Sequence, residues 1–142
     1  MGFDRKVTEE MQTNRDELVA CILIVDDDPI TRLIMIKMIE STGYEVEVAA
    51  TVKRALQCID RREFSLILLD GHLDDGYGWE VAQRVRDKSA GKRVPIVAIS
   101  SDDSSETIGK LLKSGVDHFM VKPIHLEQFR RLLVFYLTES DS

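Results

Sequence analysis

The sequence predicts a doubly wound α/β domain, a five-stranded parallel sheet with helices on both faces. Three observations carry this. Strand-like apolar runs alternate with helix-like stretches five times along the chain, a pattern that implies right-handed crossovers between parallel strands. Three of the runs, CILIV from Cys21, FSLILLD from Phe64 and VPIVAIS from Val94, are largely continuous apolar stretches, as expected of strands buried on both faces. The chain has 142 residues, which suits one domain able to bury about 70% of its unfolded surface.

The elements follow in order. CILIV ends on Asp26-Asp27-Asp28, and Pro29 suits the first turn of a helix with Asp28 as its N-cap. ITRLIMIKMIEST has helical periodicity and stops at Gly43. YEVEVAA alternates, a strand with one more polar face, and TVKRALQCIDRR is a helix capped by Thr51. FSLILLD is the next buried strand, and WEVAQRVRDKS is a helix ending near Gly91. VPIVAIS is a buried strand, SETIGKLLKSG a helix closed by Gly115, VDHFMVK a short strand before Pro123, and LEQFRRLLVFYL the last helix. Residues 1–19 are polar and read as an N-terminal extension or a linker from an upstream module, 20–139 as the domain, and 140–142 as a C-terminal tail.

Composition narrows the function. The chain is 44% hydrophobic and 31% charged with a net charge of −6, which describes a globular domain and argues against a phosphate-backbone partner. No nucleic-acid binding is therefore expected. No apolar run spans a membrane, the N-terminus lacks the apolar core of a signal peptide, and Cys21 and Cys58 form no metal or redox motif. Buried thiols in a reducing cytoplasm are expected. Met35 and Met38 read as core, Trp79 as partly buried, Arg130-Arg131 as solvated surface, and His118 and His125 as no metal ligands.

In doubly wound folds the ligand site lies beyond the carboxyl ends of the strands. Here those ends carry Asp26 and Asp27, Asp70, Ser100 and Ser101, and Lys122, while the second strand ends on Ala49 and Ala50 and is assigned to an edge. Three carboxylates at one rim repel one another unless a cation sits among them. With no cysteine or histidine beside them, they suit a hard ion such as Mg2+, which keeps waters and accepts phosphate oxygens. Lys122 adds a second cation and Ser100 a hydroxyl. The set forms a site for a phosphoryl group, with Asp70 as the nucleophile.

These residues resemble the receiver domain of two-component response regulators, of the kind found in chemotaxis regulators and phosphorelays. The resemblance covers about residues 21–138 and rests on ILIVDDDP, LILLDGHLDDGYG, PIVAISS and FMVKPI in that order. It implies a flavodoxin-like fold with strand order 2-1-3-4-5 and five helices. It implies that Asp70 takes a phosphoryl group from a histidine kinase or histidine phosphotransfer protein. Asp26, Asp27, Asp70 and the backbone carbonyl of His72 would hold Mg2+, with Mn2+ as the alternative ion. Ser100 and Lys122 would contact the phosphoryl group, Phe119 would move inward as Ser100 shifts, and the Lys122-Pro123 bond would be cis. His72 and Asp102, two residues beyond Asp70 and Ser100, would tune the phosphoryl lifetime. Such a protein is a signalling module and catalyses only its own phosphorylation and dephosphorylation. It implies a downstream protein partner, and a phosphorylation-dependent homodimer is compatible with it.

The chain departs from the family pattern after Asp70. Leu73 and Asp74 replace the usual Met-Pro, which predicts a more mobile loop with added negative charge from Asp74 and Asp75. Gly78 matches a common family glycine. Two alternatives remain beside the phosphoacceptor. One is a pseudo-receiver that only binds partners. The other is a Mg2+-dependent aspartyl-phosphate phosphohydrolase, a class that carries an Asp where this chain has His72.

Overall fold

The computed structural model describes residues 20–88 and 93–141, with side chains through Leu137. The N-terminal extension at 1–19, the helix end near Gly91 and Ser142 of the expected tail lie outside the described residues. Strands β1 (Cys21–Val25), β2 (Glu45–Ala49), β3 (Leu66–Leu69), β4 (Ile96–Ser100) and β5 (His118–Val121) form one sheet. Helices α1 (Pro29–Glu40), α2 (Val52–Arg61), α3 (Gly78–Lys88), α4 (Ser105–Lys113) and α5 (Leu126–Asp141) connect and follow them. The strand order is β2-β1-β3-β4-β5, all parallel, which is the expected doubly wound topology with its switch point between β1 and β3. A two-residue hairpin, His72–Leu73 against Gly76–Tyr77, fills the turn between β3 and α3.

Strand alternation divides the core. Leu23, Val25, Ile67, Leu69, Ile96 and Ala98 face α2, α3 and α4. Ile22, Ile24, Leu66, Leu68, Val97 and Ile99 face α1 and α5, where Phe129 and Met35 are fully covered. Because both faces are covered, β1, β3 and β4 are buried along their whole length, which is why their sequences run apolar without alternation. The edge strand β2 carries a polar face, with Glu47 paired to Arg61 at the end of α2 and to Arg62 just after it.

The local signals read from sequence operate as expected. Asp28 accepts from Ile30 N–H at the start of α1, and Thr51 accepts from Arg54 N–H at the start of α2. Gly43 and Gly115 follow α1 and α4 with φ of 82° and 106°. The Lys122-Pro123 peptide is cis. Met35 is buried and Met38 packs against the same core. Arg130 and Arg131 are solvated and pair with Glu127 on their own helix.

Candidate functional site

Three residues of the expected site take the rung just beyond a strand. Asp26 N–H donates to Ala49 O at 3.1 Å, Asp70 N–H to Val25 O at 2.8 Å, and Lys122 N–H to Ser100 O at 2.9 Å. The backbone ladder thus fixes these side chains, and a strand driven into the core ends on a carboxylate held in one place. This answers to the general rule that such folds place chemistry at the carboxyl edge of the sheet. Asp26 and Ser100 are each 1% exposed and Asp70 is 7% exposed, so these polar groups have been taken out of water deliberately. The only compensation for that is a set of partners.

Lys122 supplies part of it. Its Nζ donates to Asp70 Oδ2 at 2.9 Å and lies 2.9 Å from Asp26 Oδ2. The second contact is an ion pair to a carboxylate oxygen that is fully buried. Burial alone would lower the Lys122 ammonium, but its contacts with Asp70 and Asp26 raise it overall. It is therefore a fixed positive charge near neutral pH. Burial pushes the Asp26 carboxyl up, against the N–H of Asp28 and the Lys122 ammonium, and the charge of Asp70 adds to the rise. Asp27 is also pushed up, first by burial and then by the charges of Asp74 and Asp70.

One lysine is too little for this many acids. Carboxylate oxygens of Asp26, Asp27 and Asp70 lie within 4.8 Å of one another. These carboxylates, with Asp26 Oδ2 buried and paired to Lys122, make an all-oxygen donor set, which fits a hard divalent cation. Thiolate and imidazole nitrogen, which softer metals favour, are not among the donors.

The remaining expected residues frame this centre. Ser100 Oγ accepts from Asp102 N–H at 3.3 Å. Asp102 is held well below the usual carboxylate range, first by the N–H of Ser104 and then by the Thr107 hydroxyl, Ser104 side chain and His72. Its Oδ2 meets His72 Nε2 at 2.6 Å. An ionised carboxylate only accepts, so Nε2 carries the proton. His72 N–H donates to Asp70 Oδ1 at 3.3 Å, while its ring sits edge-on to Tyr77 and Trp79. Trp79 is partly buried against the core. Phe119 is half-buried in β5, packed against the α4 side of the sheet.

Three features escape a reading of the sequence. The turn expected to be loose is tied down: Asp75 accepts from Val52 N–H at 2.7 Å and Lys53 N–H at 3.0 Å, and Glu80 accepts from Tyr77 N–H at 2.8 Å. Asp75 is thus a helix cap for α2 and not a free loop charge. Asp74 faces Asp27 and adds a fourth acid to the rim. Thr107 and Ser104 join the site through Asp102. The local sequence held no signal for Asp75 and Asp74, whose partners lie more than twenty residues away, whereas Glu80, Ser104 and Thr107 sit within five residues of theirs.

Comparison with known proteins matches this geometry. Residues 22–134 fit the family model described as the response regulator receiver domain. The sensor histidine kinase RcsC of Escherichia coli K12 is 26% identical over 129 residues, 91% of this chain and 13% of that kinase. The chain thus spans about an eighth of that relative's length. A CheY-like response regulator receiver domain protein from Methanospirillum hungatei JF-1 superposes with a TM-score of 0.78 at 29% identity, over 87% of this chain and 97% of that one. The receiver domain of the sensor histidine kinase PA1611 from Pseudomonas aeruginosa PAO1 superposes with a TM-score of 0.75 at 26% identity, over 84% of this chain and 98% of that one. That structure has a magnesium ion coordinated in its active-site cleft.

Proposed function

The chain belongs to the response regulator receiver domain family of two-component signalling, and on that premise we propose that Asp70 accepts a phosphoryl group from phosphohistidine in a cytoplasmic histidine kinase or phosphotransfer protein. The observation that carries this reading is the Asp70 carboxylate, buried at a strand end, 2.9 Å from Lys122 Nζ and within 4.8 Å of the oxygens of Asp26 and Asp27.

The residues divide the work. Asp70 Oδ1 or Oδ2 attacks phosphorus, the P–N bond to the donor imidazole breaks, and that nitrogen keeps the electron pair. Asp26, Asp27 and Asp70 would hold Mg2+, with the His72 carbonyl completing the protein ligands. The ion would neutralise charge on the phosphoryl oxygens. Lys122 is already poised to pair with a phosphoryl oxygen. The Ser100 hydroxyl, on the same rim, would turn from the Asp102 N–H toward another. The new acyl phosphate adds roughly −1.5 to −2 charges and three acceptors.

A response on the surface follows from connectivity. Phe119 and Lys122 share a groove of about 890 Å3 with Val121, Arg131, Phe135 and Tyr136 on β5 and α5. A shift of Ser100 and Phe119 would reshape that face, the natural readout for a downstream protein. Ile30 and Leu33 are 69% and 56% exposed on α1, whose N-terminus adjoins Asp26–Asp28. They give a protein donor an apolar surface beside the acceptor.

The test is intact mass after incubation with acetyl phosphate and Mg2+. The protein is expected to gain roughly 80 Da, labile to alkali, as phosphorylation requires. Asp70→Asn, and wild type with chelator, should gain nothing. If neither acetyl phosphate nor a histidine-phosphorylated donor modifies the wild type, the reading fails.

A further inference from the structure

Asp102 is a junction. Its N–H donates to Ser100 Oγ at 3.3 Å, the hydroxyl expected to move. Its Oδ1 accepts from Ser104 N–H at 3.0 Å, and its Oδ2 accepts from Thr107 Oγ1 at 2.7 Å. Both donors belong to the N-terminal end of α4. The same Oδ2 accepts from His72 Nε2 at 2.6 Å, across 30 residues of sequence. His72 in turn donates its N–H to Asp70 Oδ1 at 3.3 Å. The contacts form a ring around the mouth of the site, running Asp70–His72–Asp102–Ser100 and closed by Lys122, which binds Asp70 through Nζ and Ser100 O through its N–H.

Within that ring the His72–Asp102 bridge is the contact that joins the acceptor loop to α4. It is reinforced outside the ring. The Tyr77 and Trp79 rings stack at 4.3 Å, His72 meets both edge-on, and Lys110 of α4 sits 5.0 Å over Trp79. Two contacts therefore join the two sides, His72 to Asp102 in the loop before α4 and Trp79 of α3 to Lys110 of α4 by cation–π contact.

We propose that the His72–Asp102 bridge is a tether that holds α4 and the Ser100 loop in the resting position, so that phosphorylation must strain or break it for Ser100 to turn inward. The physical reason is geometric. Asp102 lies two residues beyond Ser100 and its carboxylate is anchored at three points, so a displacement of the Ser100 backbone is transmitted to a residue that is held in place. A shift of sub-ångström size at Ser100 thus competes against a charge-assisted hydrogen bond. His72 is a positioning residue here, acting through Asp102. The regulatory half of this inference rests on the phosphoacceptor reading, while the tether itself does not.

The experiment uses wild type, His72→Ala and His72→Gln, with two readouts. His72→Gln keeps an N–H donor at the position. Asp102 is left in place because it also serves the N-terminus of α4. The first readout is amide hydrogen exchange of residues 105–108 in unphosphorylated protein. His72→Ala should exchange roughly fivefold faster there, and His72→Gln should restore protection, on the scale of one net hydrogen bond at a solvent-accessible site. The second is Mg2+-dependent binding of beryllofluoride, a phosphoryl analogue, followed by Trp79 fluorescence. His72→Ala should bind it several-fold more tightly than wild type. Unchanged exchange in His72→Ala overturns the tether. Exchange that rises while beryllofluoride affinity stays equal or weakens overturns its opposition to Ser100. If wild type binds no beryllofluoride, the phosphoacceptor reading fails and takes the regulatory role with it, and the exchange data still decide whether the bridge tethers α4.

Discussion

Gly78 has no room for a side chain. A Cβ there would lie 2.2 Å from the carbonyl oxygen of Asp70, and the N–H of Gly78 donates to Gly71 O at 2.9 Å. The first residue of α3 is thus pressed against the backbone of Asp70, and relief requires backbone movement in the segment that aims that carboxylate. Gly78→Ala should cost about 3 kcal/mol, at the upper end of overpacking penalties. It should also weaken Mg2+ binding, because Asp70 moves with its backbone. Urea denaturation together with a Mg2+ titration checks both. A variant with wild-type stability would show that the contact relaxes cheaply. The glycine was recognisable in the sequence as a family match, but its reason was not, since the atom it must avoid is contributed by a residue on the other side of the turn.

At the scale of elements, α2 illustrates what a sequence can and cannot announce. Thr51 lies next to the helix it caps, so a local reading finds it. Thr51→Ala should cost about 1 kcal/mol. Asp75 caps the same helix from 23 residues away, accepting from Val52 N–H, and nothing near it in sequence points to α2. The same holds for His72 and Asp102, which meet only because the β3–α3 and β4–α4 loops share the carboxyl edge of the sheet. The strands, helices, caps and rim residues were legible because each depends on neighbours within a turn or two. The loop-to-loop contacts were not, because they depend on closure. Asp75 also carries a pH signature. The N–H groups of Lys53 and Val52 hold its carboxyl below the usual value, so its contribution is fully present above the unfolded pKa of about 3.9 and fades as pH falls through the lower folded value. Wild type should therefore be more stable than Asp75→Asn at neutral pH, with the gap closing in acid below about pH 4. Paired denaturation curves across that range would show it, and a pH-independent gap would mean that the charge contributes nothing.

For the whole molecule, the sheet gathers acids that a net charge of −6 already disfavours. Asp26, Asp27 and Asp70 share a volume that a single cation could fill, Asp74 crowds Asp27, and Lys122 reaches only Asp26 and Asp70. The folded state alone brings these groups together, so a divalent cation that binds there stabilises the fold by mass action. At a hundredfold excess over Kd the gain is about 2.7 kcal/mol, enough to raise Tm by several degrees in a domain of this size. Mg2+ should therefore raise the Tm of wild type, at constant ionic strength set with a monovalent salt. Asp26→Asn and Asp27→Asn should each melt near the ion-free wild type, since removing one carboxylate relieves repulsion, but should lose most of the Mg2+ response. Asp75→Asn, whose carboxylate is engaged at α2 and not at the rim, should keep it. If Mg2+ shifts all four proteins alike, the ion acts through general screening and the acidic rim holds no specific site. If it shifts wild type and Asp75→Asn alone, the acidic rim holds a specific site, and the bound ion relieves the repulsion of assembling these carboxylates.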